Sequence, residues 1–290
     1  MRHRGDQPKA EIYETDGAFL GCHRLGIMDP EFSVQPASTE NGTIRAVFNG
    51  EIYNVEQLRN ELQEHDFSNR GDTETAAHAF EEFGNAAFQK MDGMFAICLW
   101  NDKQKSFCAA RDPMGVKPLY YVHEEEAGNF YFASERKALL DLDGAIQTVP
   151  PGHVISRNGL EKYSVMNVEP TVYSAGILRG LIGKAVVKRM RADRPIGVFL
   201  SGGLDSSIVA YHAVATKGSI PAYTVGTEDA DDLEHARMFA KKLGMKHHVR
   251  TVKAKDVLDA LPSASNAPSG FSLARRPPRS GFGARHVHHP

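Results

Sequence analysis

Apolar residues recur at every second position over Thr43–Asn49, with Ile44, Ala46 and Phe48 on one side, which predicts a strand with one buried face. Ser106–Ala110, Leu119–Val122 and Asn129–Ala133 read as further strands. The polar loop Asn101-Asp102-Lys103-Gln104 joins Met94–Trp100 to Ser106–Ala110 as a hairpin. Two segments follow the helical period instead. Asn54–His65 opens on an Asn cap, carries Gln57 at its third position and repeats Val55, Leu58 and Leu62 on one face. Thr73–Phe83 turns Ala76, Phe80 and Phe83 inward and stops at Gly84. Strands with few helices among them predict a layered antiparallel domain over residues 1–165.

The period changes near residue 170. A helix over Ala175–Met190 is followed by a short buried strand, Ile196–Leu200, and a helix over Ser206–Thr216. Ile220–Val225 is again a strand. Asp231 and Glu234 form a capping pair for a helix that buries Leu233, Ala236, Ala240 and Leu243 and ends at Gly244; His247–Val252 is the third strand. The β-α-β-α-β order predicts a parallel sheet with right-handed crossovers over residues 170–262, with the domain boundary in Ser164–Tyr173. From Ser263 to Pro290 there is no acidic residue, no lysine and no periodicity. That stretch reads as a disordered or aberrant tail, either an ordinary flexible end or the mark of a shifted reading frame.

Composition narrows the class. With 290 residues and 41% hydrophobic positions, the chain can fill about two domain cores. Thirty-four basic against 36 acidic residues leave a net charge of −2, so no polycationic surface is available for nucleic acid or an anionic membrane. Cys22, Cys98 and Cys108 are too scattered for a disulfide framework, and Cys98 and Cys108 sit in strand patterns as core residues. The longest apolar run, Met94–Trp100, is too short to span a bilayer, and the first residues lack a signal-peptide core. The expectation is a soluble, cytoplasmic α/β protein. His247 and His248 would face opposite sides of their strand and cannot share an ion, and His286, His288 and His289 lie in the tail.

The sharpest chemical signal is Ser201-Gly202-Gly203-Leu204-Asp205-Ser206-Ser207, between the apolar run Gly197–Leu200 and a helix. Two glycines let the backbone approach a ligand. The free N–H groups and the positive end of the helix then face an anion, with three serine hydroxyls beside them. Asp205 suits such a site only if it holds Mg²⁺ bound to phosphates. The lysine of a GxxxxGK[ST] loop is absent.

This loop resembles the pyrophosphate-binding loop of N-type ATP pyrophosphatases. Upstream stand Arg2-His3-Arg4-Gly5, His23–Asp29 (HRLGIMD), Asn49–Asn54 (NGEIYN), Gly71–Glu74 (GDTE), Arg111–Tyr121 (RDPMGVKPLYY) and Phe132–Leu139 (FASERKAL). Taken in this order and followed by SGGLDSS, they resemble glutamine-hydrolysing asparagine synthetases over roughly residues 1–260. The resemblance implies an Ntn-type αββα amidotransferase domain lacking its first strand, then an incomplete parallel-sheet ATP pyrophosphatase domain. It implies glutamine, aspartate and ATP as substrates, ATP–Mg²⁺ as the activating pair, and a possible homodimer.

It also implies roles. Asn49 and the Gly50 N–H would be the oxyanion donors. Arg24 would take the glutamine carboxylate, Glu51 and Asp72 its ammonium, and Leu25, Gly26, Ile27 and Met28 backbone contacts. Asp72 could equally cap a helix starting near Thr73. Leu200, Ser201, Gly202, Gly203, Leu204, Asp205, Ser206, Ser207 and Val225 would bind ATP. Ammonia from glutamine would pass between the domains to a β-aspartyl-adenylate, giving asparagine, AMP and pyrophosphate. The family's N-terminal cysteine nucleophile has no counterpart at Met1 or Arg2, and a later SGEGSDE-like phrase is absent. The expectation is therefore that this chain releases no glutamate from glutamine. Two rivals from other classes are a β-lactam-synthetase-like adenylating cyclase and a non-catalytic fragment.

Overall fold

The computed structural model describes residues 2–6, 10–164, 174–227 and 230–264. A 3₁₀ turn (Arg2–Arg4) precedes the hairpin β1 (Glu11–Thr15) and β2 (Ala18–Cys22), then β3 (Ala37–Ser38) and β4 (Ile44–Ile52). Helices α1 (Val55–Glu61), α2 (Asp72–Phe83) and α3 (Ala87–Lys90) lead to β5 (Gly93–Asn101), β6 (Ser106–Arg111), β7 (Tyr120–Glu124), β8 (Asn129–Ala133), β9 (Gln147–Thr148), β10 (His153–Ser156) and β11 (Gly159–Lys162). After the undescribed residues 165–173 come α4 (Ala175–Lys188), β12 (Val198–Phe199), α5 (Leu204–Lys217), β13 (Ala222–Gly226), α6 (Asp231–Lys242), β14 (His247–Thr251) and α7 (Ala254–Ala264).

Strand alternation builds the layers of the first part. Along β5, Phe95, Ile97 and Leu99 enter one core with the α1–α3 side chains, while Ala96 and Cys98 face a second core shared with Tyr121 and Phe132. The main sheet is antiparallel, ordered β11-β10-β6-β5-β4-β3; β8-β7-β9 forms the second sheet. The outer face of that sheet is closed by Leu139 of a 3₁₀ turn (Arg136–Leu139) against Val122 and Ala133. Among the described residues the layers are thus helices, sheet, sheet and a single 3₁₀ turn, so the outer helical layer of the expected αββα sandwich is reduced. Cys108 is a core residue as expected. Cys98 is half-buried and also lines a cavity, so it is not purely core.

The second part is the parallel sheet β12-β13-β14. Its own small core is built mainly from Leu200, Ile220, Met245 and alanines of α5 and α6. No helix among the described residues is long and apolar enough to cross a membrane. The two parts meet through polar contacts. Lys188 reaches Asp92 and Arg191 reaches Glu56, each at 2.7 Å. The Asp193 carboxylate accepts the Asp29 N–H at 2.8 Å, and Arg194 donates to the Gly26 carbonyl at 3.1 Å.

Local expectations need four corrections. Asn54 makes no side-chain cap bond; its amide instead clamps the Lys90 carbonyl and the Asp92 N–H. The helix after it stops at Glu61 rather than His65, because a three-residue bond from the Leu62 N–H to the Arg59 carbonyl tightens the last turn. Asp231 is the first helical residue and not a cap, since Ala230 takes the extended N-cap conformation. The helix after the glycine loop starts at Leu204, two residues early, with Gly203 as N-cap. The expected domain boundary falls largely on residues 165–173, and the tail from residue 265 on; both lie outside the described residues.

Candidate active site

A cavity of about 330 Å³ opens where β4, β5 and the Cys22–Met28 segment converge. Arg24, Leu25, Ile27, Met28, Asn49, Gly50, Glu51 and Asp72 all line it. Gly26 does not: its N–H meets the Asp6 carboxylate and its carbonyl accepts from Arg194, so it faces the second part of the chain.

Gly50 pairs with Phe95 across the ladder, and a Cβ there would lie 2.7 Å from the Phe95 Cα. Only glycine lets β4 and β5 close to this distance and leave backbone facing the cavity. Asn49 hangs beside it, its amide donating a weak 3.4 Å bond to Ser134 Oγ. Arg24 is buried, and its guanidinium donates to the carbonyls of Met28, Asp29 and Pro30. Those bonds fold the loop around it and use three of five N–H groups, which leaves donors for a ligand. Asp72 heads α2, with Gly71 and not Asp72 as N-cap; its Oδ2 accepts the Ile52 N–H at 3.2 Å.

The carboxyls are tuned by burial. Desolvation, then the neighbouring Asp72 charge, pushes Glu51 up to about 7, although Lys117 and Arg191 pull it back. Desolvation likewise raises Asp72 to about 6. Two carboxyls whose burial disfavours their charged forms both gain from a cation placed between them. The thiols at the cavity are also held neutral by burial: Cys22 is pushed up to about 11 and Cys98 to about 12.

Lys117 was not singled out from the sequence, although RDPMGVKP contains it. Desolvation lowers its pKa, and it faces Glu51. Its loop is built by Asp112, whose fully buried carboxylate accepts the N–H groups of Phe95, Met114, Val116 and Lys117 at 2.9–3.2 Å. Arg111 ties the same loop through the carbonyls of Gly115, Lys117 and Val149.

A second cavity of about 270 Å³ shares Ile27, Met28, Glu51, Asp72 and Met94 with the first. It continues past Ile52 and Val55 to Arg189, Arg191, Ala192 and Ile196 of the second part.

The glycine loop lies beyond β12. Leu200 has its side chain in the core; its N–H bonds Tyr223 and its carbonyl accepts from Thr224 Oγ1. Ser201, Leu204 and Asp205 are exposed, so the turn is open to solvent. Ser206 Oγ gathers the Ser201 N–H and hydroxyl, and Ser207 Oγ donates to the Gly203 carbonyl. Gly202 has φ +89°, and a Cβ there would strike the Asp232 carbonyl at the head of α6. Val225, largely exposed, sits on the neighbouring strand β13.

The sequence profile of the glutamine amidotransferase domain family matches residues 1–181. The chain belongs to the glutamine amidotransferase domain family. The asparagine synthase profile matches residues 177–275. Asparagine synthetases [glutamine-hydrolyzing] 2 and 3 of Arabidopsis thaliana are 38% and 39% identical to it over 90% of the chain, and a probable asparagine synthetase of Dictyostelium discoideum is 37% identical over 90%. The chain spans about half the length of these relatives, 48%, 48% and 52%. A solved glutamine phosphoribosylpyrophosphate amidotransferase from B. subtilis shares 19% identity over 83% of this chain and 55% of its own, with a TM-score of 0.41, too loose a superposition to compare sites. Of the residues that the resemblance assigned to glutamine, all but Gly26 line one cavity.

Proposed function

We propose that the chain serves ATP-dependent amidation of aspartate to asparagine, with AMP and pyrophosphate as products, and that its first part binds glutamine as the ammonia source; neither Met1 and Arg2 nor the neutral thiols Cys22 and Cys98 supply the nucleophile that releases that ammonia. The observation that carries this reading is the pairing of a cavity lined by Arg24, Asn49, Gly50, Glu51 and Asp72 with an open glycine-serine loop at the carboxyl ends of a parallel sheet. Arg24 would take the glutamine carboxylate with its spare N–H groups, and Glu51 and Asp72 its ammonium. The Asn49 amide and the Gly50 N–H would stabilise negative charge on the amide oxygen. The second cavity shares walls with the first and reaches Arg189–Ile196, which supports a sheltered route for ammonia between the two parts.

At the loop, the backbone of Ser201–Ser207 and the first turn of α5 would hold the pyrophosphate end of ATP. Leu200 and Val225 would contact the nucleotide through backbone groups. The exposed Asp205 carboxylate, beside three hydroxyls, suits Mg²⁺ held jointly with phosphates, and such an ion would neutralise charge on the departing pyrophosphate. ATP–pyrophosphate exchange that depends on aspartate, measured with the purified chain, tests the reading. Nucleotide binding without exchange would make the chain a binding fragment; no nucleotide binding at all would remove the ATP half of the proposal.

The ammonium clamp has its own signature. Glutamine needs Glu51 and Asp72 ionised, and both titrate upward of ordinary carboxylates. Glutamine affinity is therefore expected to fall as pH drops from about 7 to about 5, by up to about tenfold per unit while Glu51 alone protonates and up to about a hundredfold per unit once Asp72 follows. Calorimetric titration across that range checks it. Glu51→Gln should weaken binding at pH 8 and flatten the profile, and an unchanged profile in that variant would refute the clamp.

A further inference from the structure

On the far side of α2 from its Asp72 end, two histidines and two glutamates from three segments point at one another. His78 of α2 is fully buried. Its Nδ1 lies 3.1 Å from His65 Nδ1, in the turn after α1, and 3.1 Å from Glu40 Oε2, between β3 and β4. His65 Nδ1 lies 3.3 Å from Glu40 Oε1 and 3.9 Å from Glu81 Oε2, one turn on from His78. Four ligand atoms, one from each residue, fall within 4.8 Å of one another.

These separations are hard to explain as hydrogen bonding alone. Two Nδ1 atoms facing each other at 3.1 Å can share only one proton, and both also face Glu40. Glu81 Oε2 is buried and has no hydrogen-bond partner. A tetrahedral ion with bonds of about 2.0–2.1 Å puts its ligands about 3.3–3.4 Å apart, close to the 3.1–3.3 Å spacings among His65, His78 and Glu40, and Glu81 would be drawn in from 3.9 Å.

The surrounding groups fit as well. Glu81 Oε1 accepts from Asn41 Nδ2 at 3.0 Å, which fixes the carboxylate and leaves Oε2 for the centre. The other nitrogen of His65, Nε2, lies 3.6 Å from the Glu82 carboxylate, the partner that orients metal-bound imidazoles. The Phe67 ring packs edge-on against His78 at 4.6 Å. Glu40 and Glu82 are exposed, which gives an ion a way in.

We propose that Glu40, His65, His78 and Glu81 form a binding site for a divalent transition-metal ion of the zinc class. With all four positions taken by protein, the site is structural: it ties the β3–β4 turn and the turn after α1 to α2, the helix that carries Asp72. It is separate from the glutamine cavity and does not depend on the proposed amidation.

The test uses the full chain, stripped with chelator and titrated with Co²⁺ as a visible stand-in for Zn²⁺. One equivalent should give the intense absorption of tetrahedral cobalt, and Zn²⁺ should bleach it. His65→Ala, and independently Glu40→Gln on the exposed side, should weaken binding more than about a hundredfold with the circular dichroism spectrum retained; Glu82→Gln should weaken it about tenfold. Should His65→Ala fail to fold, Glu40→Gln decides alone. No tetrahedral band, or a band unchanged in Glu40→Gln, would assign any bound ion to other histidines and overturn the site.

Discussion

Asp112→Ala is expected to cost about 3–5 kcal/mol of folding free energy. Four backbone N–H groups converge on this one carboxylate, which has no exposed surface. Each buried donor left without an acceptor costs about 1–3 kcal/mol, and water entering the gap would recover part of that. The backbone bonds from Gly115 and Gly152 to the Asp112 carbonyl survive the substitution and limit the loss. Urea unfolding followed by circular dichroism gives the number. A change below about 1 kcal/mol would mean that the Met114–Lys117 turn holds itself. Asp112→Asn keeps an acceptor but turns an amide N–H₂ toward other donors, so it should fall between the two. Either variant should also loosen Lys117 and so raise Glu51 further.

Gly202→Ala is expected to abolish nucleotide binding, by more than about a hundredfold, with the first part of the chain left intact. The positive φ disfavours any Cβ, and the built position runs into the Asp232 carbonyl and lies 3.1 Å from the Ala236 nitrogen. Either the turn flattens or α6 withdraws, and both displace the N–H groups that would face phosphate. Gly203 supplies the internal comparison. Its φ is −73°, and a Cβ would meet only Ser201 Oγ at 3.4 Å. Gly203→Ala should therefore cost about tenfold or less, chiefly through a poorer N-cap. Calorimetric titration of ATP into the two variants checks the contrast. A loss of about tenfold or less in Gly202→Ala as well would show that the loop tolerates a side chain at residue 202.

What could be read from the chain, and what could not, follows from range. Ile44, Ala46 and Phe48 alternate because a sheet buries one face, and they are buried as that alternation requires. The same local logic placed β4, the β5–β6 hairpin, α2 with its stop at Gly84, and the β-α-β-α-β order of the second part. Asn54 failed because its side chain is claimed by Lys90 and Asp92, 36 and 38 residues away, and no local pattern records that competition. At the site, Arg24, Asn49, Gly50, Glu51 and Asp72 were legible through motif resemblance. Gly26 was assigned with its neighbours, but the strip Asp193–Arg194 turns it away from the cavity. Lys117 was hidden inside a phrase that reads as a Pro/Gly loop. His65 and His78, 13 residues apart on different elements, give no periodic signal at all. Helix α2 compounds this, since its first eight residues are buried on every side and the amphipathic stripe is lost.

The cores of the two parts share no residue, and polar links join them, so heat or urea need not undo them together. The chain has one tryptophan, Trp100, buried on β5 in the first part. Intrinsic tryptophan emission is therefore blind to the half of the molecule that carries the Ser201–Ser207 loop. A melting temperature taken from it describes the antiparallel scaffold alone, while the parallel sheet could already have come apart unseen.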